Sequence, residues 1–490
     1  MDKKTIIMVA ALVLVLLFYF QIMEFLGMYT PATPTEPTEQ PTVDTIVQQQ
    51  PMTPPVQATT ETLPGATAVL DQAQPDTTVA VDTICVNTNK YELVLTSAGG
   101  GPVSMVLKEY TYRDGEQIRM LIDPTAATPD AVFAGGTFSS AAVNYTSNLM
   151  PGNYEVTSEP LELVYSYRLA EGGAINKHYR FYPDNYHYDM TIEVNEREKL
   201  GFERSYEMRW NTPLGITEPQ PETDYQAMEA VVMQAGQRET LDDFDNGRLN
   251  QTLEGDASWA GVRSKYFAAV IIPTSRDAES VTASGTKSKV ETPDGSIEKR
   301  EITVGLRMAF ANVSNFSDDY KIFVGPLDYS VLSDYDVGLE DMLGIGTTPF
   351  IGWIIKPFAL AIIWVLPKMY SFIPNYGLVI ILFAFLIKII TLPLSMKSFK
   401  SMNAMKELQP KLEELKKKHK KNPQALNAET MKLYKAHGVN PISGCLPMLP
   451  QMPLFFALFS VFRSTILLRN APFVWFFTDL SRGASGFTDP

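Results

Sequence analysis

Apolar positions along this chain follow three different rhythms. Residues 376–395, YGLVIILFAFLIKIITLPLS, form an almost unbroken apolar run in which Lys388 is the single charge. At ~1.5 Å rise per residue a helix of this length matches the ~30 Å hydrocarbon core of a bilayer, so the stretch predicts a transmembrane helix. Residues 5–20, TIIMVAALVLVLLFYF, make a second such run behind Lys3 and Lys4, a charge placement that sets the N-terminus in the cytoplasm. A cleaved signal peptide shares that basic start, but this run outlasts a usual apolar segment and no small-x-small site follows it. A third run covers 441–469, where Pro447, Pro450 and Pro453 punctuate the entry and remove helical donors.

The second rhythm has period two. From 81 to 330, short alternating runs such as Tyr91 to Thr96, Leu161 to Arg168, and KHYRFY with YHYDMTIEVN stop at Gly, Pro, Asn and Asp clusters. That pattern, sustained over a long stretch, predicts an all-β sandwich. Before it, residues 29–80 are rich in Pro, Thr and Gln and poor in aromatics. They cannot bury enough apolar surface to offset their ordering entropy and read as a disordered tether.

The third rhythm is helical. Met405, Leu408, Leu412 and Leu415 are spaced 3, 4, 3, and Leu426, Thr430, Leu433 and His437 are spaced 4, 3, 4, on either side of Asn422-Pro423. These are the two seams of an antiparallel helical hairpin, with Pro410 opening a helix after a kink. Between sandwich and central helix, 350–366 is apolar but carries Lys356 and Pro357 and closes on Pro367 and Lys368. An interfacial amphipathic helix is expected there, with Trp353 and Trp364 at headgroup level and the two lysines reaching lipid phosphates. An ordinary span is the other reading.

Charge separates these parts into two compartments. Residues 397–443 hold eleven lysines against four acids, a formal +7 in a chain of net charge −14, which leaves −21 for the rest. Cytoplasmic loops beside spans collect Lys and Arg, whereas long exported domains do not, so the hairpin is assigned to the cytoplasm and the sandwich to the far side. The order is then anchor (1–28), linker (29–80), β-domain (81–330), connector and interfacial helix (331–375), span (376–395), hairpin (396–440), span (441–469) and an exported segment (470–490).

Candidate chemistry is sparse. A lone cation within a span is a functional-site candidate, although Lys388 can also snorkel to the cytoplasmic interface. Lys416, Lys417, Lys418, Lys420 and Lys421 crowd the hairpin turn and read either as a contact for anionic lipid or RNA or as a solvated basic face; no aromatics accompany them for base stacking, and no DNA partner is expected. His178 and His187 fall in strand-like runs, and Glu155, Asp184 and Asp189 have no paired arrangement. No P-loop, G-x-S-x-G, H-E-x-x-H or dinucleotide fingerprint occurs, so no cofactor, metal or enzymatic activity is expected. Cys85 and Cys445 lie in different compartments and cannot pair within one chain.

Asn440-Pro441 through Gly444-Cys445-Leu446-Pro447 and Gln451-Met452-Pro453, followed by LFFALF, resembles the signature of the YidC/Oxa/Alb membrane protein insertases. LQPKLEELKKKHKKNPQALNAETMKLYKAHGVNP is similar to that family's cytoplasmic hairpin. The Thr96 to Gly101 turn, SWAGVRSKYFAAVIIP and Phe323-Val324-Gly325-Pro326 are similar to the large periplasmic domain of its Gram-negative branch. The resemblance implies a multi-domain inner-membrane protein, with an all-β periplasmic super-sandwich, a helical core enclosing a hydrophilic groove, and nascent membrane proteins as substrates. A Sec translocon, the ribosome or signal recognition machinery at the hairpin, and membrane lipids are the implied partners.

The family's groove arginine falls on Lys388, with Ala384 one turn earlier where relatives can carry a hydroxyl; Gln451 is expected to join the groove. Five core spans are expected, and the sequence reaches Pro490 with two of them lacking, as in a fragment or an unwalled groove. The rival reading is a membrane-anchored periplasmic carbohydrate-binding or epimerase-like sandwich.

Overall fold

The structure, a computed structural model, describes residues 81–473 apart from 122–125, 134–135, 170–171, 201, 203–204, 293–294, 311–312, 348–350, 420–421 and 439–447. The expected N-terminal span and linker, Lys420, Lys421, Cys445 and 474–490 lie outside the described residues.

The alternating segments become strands, and alternation decides which side chains go inward. Strand His187–Asn195 buries Tyr188, Met190, Ile192 and Val194 and turns Asp189, Thr191 and Glu193 outward. It pairs antiparallel with Ala174–Phe181 across the Pro183-Asp184-Asn185 turn, in the register Phe181 to Tyr188. A five-stranded sheet runs in the order Gln117–Leu121, Gly101–Thr111, Tyr91–Thr96, Thr83–Thr88 and Gly152–Val156; the second sheet has fourteen strands. Phe267–Pro273 lies inside the larger sheet between Arg248–Arg263 and Phe316–Pro326, and all seven of its residues are buried. This is why its sequence reads as continuous apolar rather than alternating. The fold is thus an all-β sandwich followed by helices.

The Thr96 to Gly101 turn is gripped from the other sheet. Lys177, wholly buried, donates to the Gly99 carbonyl at 2.7 Å and lies 5.0 Å from the Tyr145 ring centroid, while Tyr179 donates to the Gly100 carbonyl at 2.9 Å. Burial lowers the Lys177 ammonium to about 8, against the pull of Asp130. Gly100 has φ +56°, and a Cβ there would come within 2.7 Å of the Tyr145 ring, so only glycine fits.

The chain stays on the sandwich beyond residue 330. Tyr335 bonds His187 at 2.9 Å, Trp259 Nε1 donates to the Val337 carbonyl at 3.0 Å, and Arg263 donates to that of Met342 at 2.6 Å. These contacts carry the chain to the helices. The labelled helices are α1 (Pro221–Ala227), within the β-domain, then α2 (Gly352–Phe372), α3 (Tyr376–Glu407), α4 (Gln409–Lys418), α5 (Pro423–Ala436) and α6 (Met448–Ser464).

Candidate functional site

Two helices among the described residues, α2 and α3, are long and apolar enough to cross a membrane. In α3 the Asn375 side chain accepts from the Leu378 amide at 3.1 Å as N-cap and donates to the Phe473 carbonyl at 2.9 Å, which ties the helix start to the chain after α6. The helix does not end at Ser395, the bound expected of the span; it runs through Pro393 to Glu407. One proline kinks a helix, but the residues after it include Met396, Met402, Ala404, Met405 and Lys406, all good helix formers, and propagation resumes. Thr391 donates back to the Ile387 carbonyl at 2.9 Å and Ser395 to that of Thr391 at 3.0 Å, so their hydroxyls are satisfied along the helix.

Packing on α3 is concentrated at its start, with Ser398 buried again towards its end. Val379 and Phe383 are buried, whereas Phe385, Ile389 and Ile390 are 63%, 66% and 62% exposed. Lys388 stands on this uncovered part, itself exposed, and makes no ion pair among the described residues; Ala384, one turn earlier, is exposed too. Gln451 is exposed on α6, the helix that packs against α2. Lys416, Lys417 and Lys418 are exposed on the last turn of α4.

The hairpin seams hold in part. Leu408 is buried, and Leu412, Leu415, Leu426, Thr430 and Leu433 are half-buried; Met405 belongs to α3 rather than to the hairpin. His437 is exposed, yet its Nδ1 lies 2.9 Å from the Leu433 carbonyl and Lys411 donates to its Nε2 at 3.1 Å, closing α4 onto α5. Pro410 sits in the first turn of α4, as expected after a kink.

Helix α2 buries the stripe Gly352, Ile355, Ala359, Ile362 and Leu366 and exposes Trp353 and Trp364. The Lys356 ammonium meets Asp341 at 3.0 Å, while its side chain stays 45% exposed. The reason is local, since the turn Leu339–Leu343 folds back onto the sandwich and presents Asp341 to the first turns of α2. Lys368 lies over the Trp364 ring at 3.6 Å.

At the other end of α6 lies an arrangement that no local pattern in the chain announces. A cavity of about 20 Å³ is lined by Leu327, Asp328 and Tyr329 of the β-domain, Ile363 in the middle of α2, and Val461 and Thr465 at the end of α6. Beside it Arg469 donates to Glu218 at 2.7 Å. Burial raises the Glu218 carboxyl, with Arg469 opposing. Asp224, Asp341 and Glu218 are ordinary loop acids in sequence, and only the run of long-range contacts distinguishes them.

The periplasmic-domain pattern of the YidC proteins matches residues 83–361, and that of the 60Kd inner membrane proteins matches 368–488. A membrane protein insertase YidC of Prosthecochloris aestuarii is 30% identical over 485 residues, covering 97% of this chain and 79% of the relative. Those of Chlorobaculum parvum and Chlorobaculum tepidum are 30% and 31% identical, over 80% of this chain and 66% of theirs. The chain thus spans just under two thirds of the length of these last two relatives. Among solved structures, an active YidC insertase crystal structure aligns over 81% of this chain at 17% identity and TM-score 0.28. A putative aldose 1-epimerase from Escherichia coli aligns over 50% at 9% identity and TM-score 0.30.

Proposed function

Since the chain belongs to the YidC family of membrane protein insertases, we propose that it inserts nascent membrane proteins into the inner membrane and assists their folding, without a cofactor or catalytic residue. In this reading α3 and α6 cross the bilayer, α2 lies in the exported interface, the N-terminus and the α4–α5 hairpin are cytoplasmic, and the sandwich is periplasmic. The place of Ile363, midway along α2, beside the end of α6 supports a helix lying across that end.

The observation that carries the proposal is Lys388: a cation unpaired among the described residues, on a helix whose surrounding surface is apolar and uncovered by protein. Such a charge is costly in hydrocarbon, so it requires water or an anionic partner beside it. A hydrated pocket partway across the bilayer shortens the low-dielectric path for a polar substrate tail, and an ammonium in it attracts acidic residues of that tail. Apolar segments leave sideways along the exposed face of α3, where burial at ~25 cal/mol per Å² drives release into lipid. Ala384 leaves room beside Lys388, Gln451 offers a polar group on α6, and Lys416, Lys417, Lys418, Lys420 and Lys421 are assigned to contacts with lipid, the ribosome or the targeting machinery. A Sec translocon is a further assigned partner.

A depletion-rescue assay tests this. Lys388→Ala should weaken insertion of substrates with acidic translocated tails, and Lys388→Arg should preserve it, since charge rather than the ammonium's shape is what the tail meets. Equal rescue by all three forms would remove Lys388 from the mechanism. Photocrosslinking of a nascent chain to positions beside Lys388 gives an independent readout.

A further inference from the structure

Arg469 follows the turn Ile466–Leu468 at the end of α6, on extended backbone. Its guanidinium is given wholly to the β-domain. Nε donates to Glu218 Oε1 at 2.7 Å, Nη1 to the Thr111 carbonyl at 2.8 Å and Nη2 to the Thr217 carbonyl at 2.9 Å, and the group lies 5.7 Å from the Phe267 ring centroid. The next side chain, Asn470, donates to the same Thr111 carbonyl at 3.1 Å. Thr111 ends a strand of the five-stranded sheet, Thr217 and Glu218 lie between Ser205–Trp210 and α1, and Phe267 opens the buried strand of the larger sheet. One side chain therefore joins both sheets to the end of a helix.

The receiving loop is preset. Asp224, fully buried on α1, accepts from the Thr217 amide at 2.6 Å, the Thr217 hydroxyl at 3.2 Å and the Glu218 amide at 3.0 Å. The side chains of Arg469 and Glu218 are 4% and 8% exposed, so this is no solvent-screened surface pair. Desolvating an arginine is costly, and the cost is met only where several acceptors hold it at once. Two of the three acceptors are carbonyls, which need a forked donor and not merely an opposite charge.

We infer that Arg469 is a positioning residue that clasps the β-domain to the far end of α6 and sets the attitude of one on the other, so that they move as a single body. The inference goes beyond insertion and stands without it. It is tested by hydrogen-exchange mass spectrometry on the full chain in lipid nanodiscs. R469A should speed exchange about tenfold or more in 108–116, 213–220 and 464–473 together, with 187–195 unchanged as the fold control. R469K should give a partial effect. The swapped pair R469E/E218R should resemble R469A, because a carboxylate at 469 would face two carbonyls. Should R469A fail to fold, E218Q, which keeps an acceptor, should still give a smaller rise in the same three segments. Faster exchange confined to 464–473, no change in any segment, or full restoration by the swapped pair would overturn the assignment.

Discussion

His187 illustrates how a single side chain links packing to pH. Its Nδ1 bonds Tyr335, and burial, with Lys321 nearby, holds the imidazole down at about 4 against the pull of Asp189. The unfolded chain titrates near ~6.5, so between about 4 and 6.5 it binds a proton that the folded β-domain refuses. The stability this site contributes is complete above ~6.5 and is lost as pH falls towards about 4, a swing of at most ~3 kcal/mol. His187→Asn should flatten the decline of the urea midpoint between about pH 7 and pH 5, followed by tryptophan fluorescence; an unaltered slope would place the titration on another group. The histidine was legible as a strand residue. Its partner Tyr335 was not, because no local pattern joins positions so far apart in the chain.

At the scale of elements, helix α3 shows what a sequence run conveys and what it omits. Its apolar length announced a span, and Asn375 before Tyr376 fits an N-cap. The second task of Asn375, donating to Phe473, depends on where the chain returns after α6. Asn375→Ala should cost ~1 kcal/mol for the cap and about as much again for the lost carbonyl bond, while Asn375→Asp should keep the cap and lose only the second part. Thermal unfolding in micelles ranks the three, and equal losses for Ala and Asp would deny the cap its share. Val461, 1% exposed at the joint cavity, offers a packing test: Val461→Ala should destabilise the helical part by roughly 2 kcal/mol, and no loss would mean that the site collapses around the gap.

For the whole molecule, the contrast between a basic hairpin and an acidic remainder assigns the two sides of the membrane, and the native cysteines can check it. A membrane-impermeant maleimide should label Cys85 from outside intact spheroplasts, slowly because burial raises its thiol, and Cys445 only after permeabilisation. Labelling of Cys445 in sealed spheroplasts would reverse the topology. Arg469 and Glu218 join the β-domain to the end of α6, Lys356 and Asp341 join α2 to the turn before it, and Asn375 and Phe473 tie α3 to the chain after α6; each pair joins residues that are unremarkable where they stand in the chain.

Periodicity by itself determined the secondary structure of most described segments: strands where polarity alternates, membrane-length helix where charge disappears, hairpin where leucines recur at three and four. Burial of one face is a local demand, and a sequence records it at local spacing. The charge bias set an expectation of sidedness in the same local way, and Lys388 stood out because its neighbours are apolar. Tertiary structure alone decided that Lys356 meets Asp341, that α3 outlasts Pro393, and that Arg469 is withdrawn from solvent among two carbonyls and a carboxylate. Those outcomes rest on desolvation and on hydrogen-bond geometry between groups brought together by folding, and neither quantity has a spacing along the chain from which it could be read.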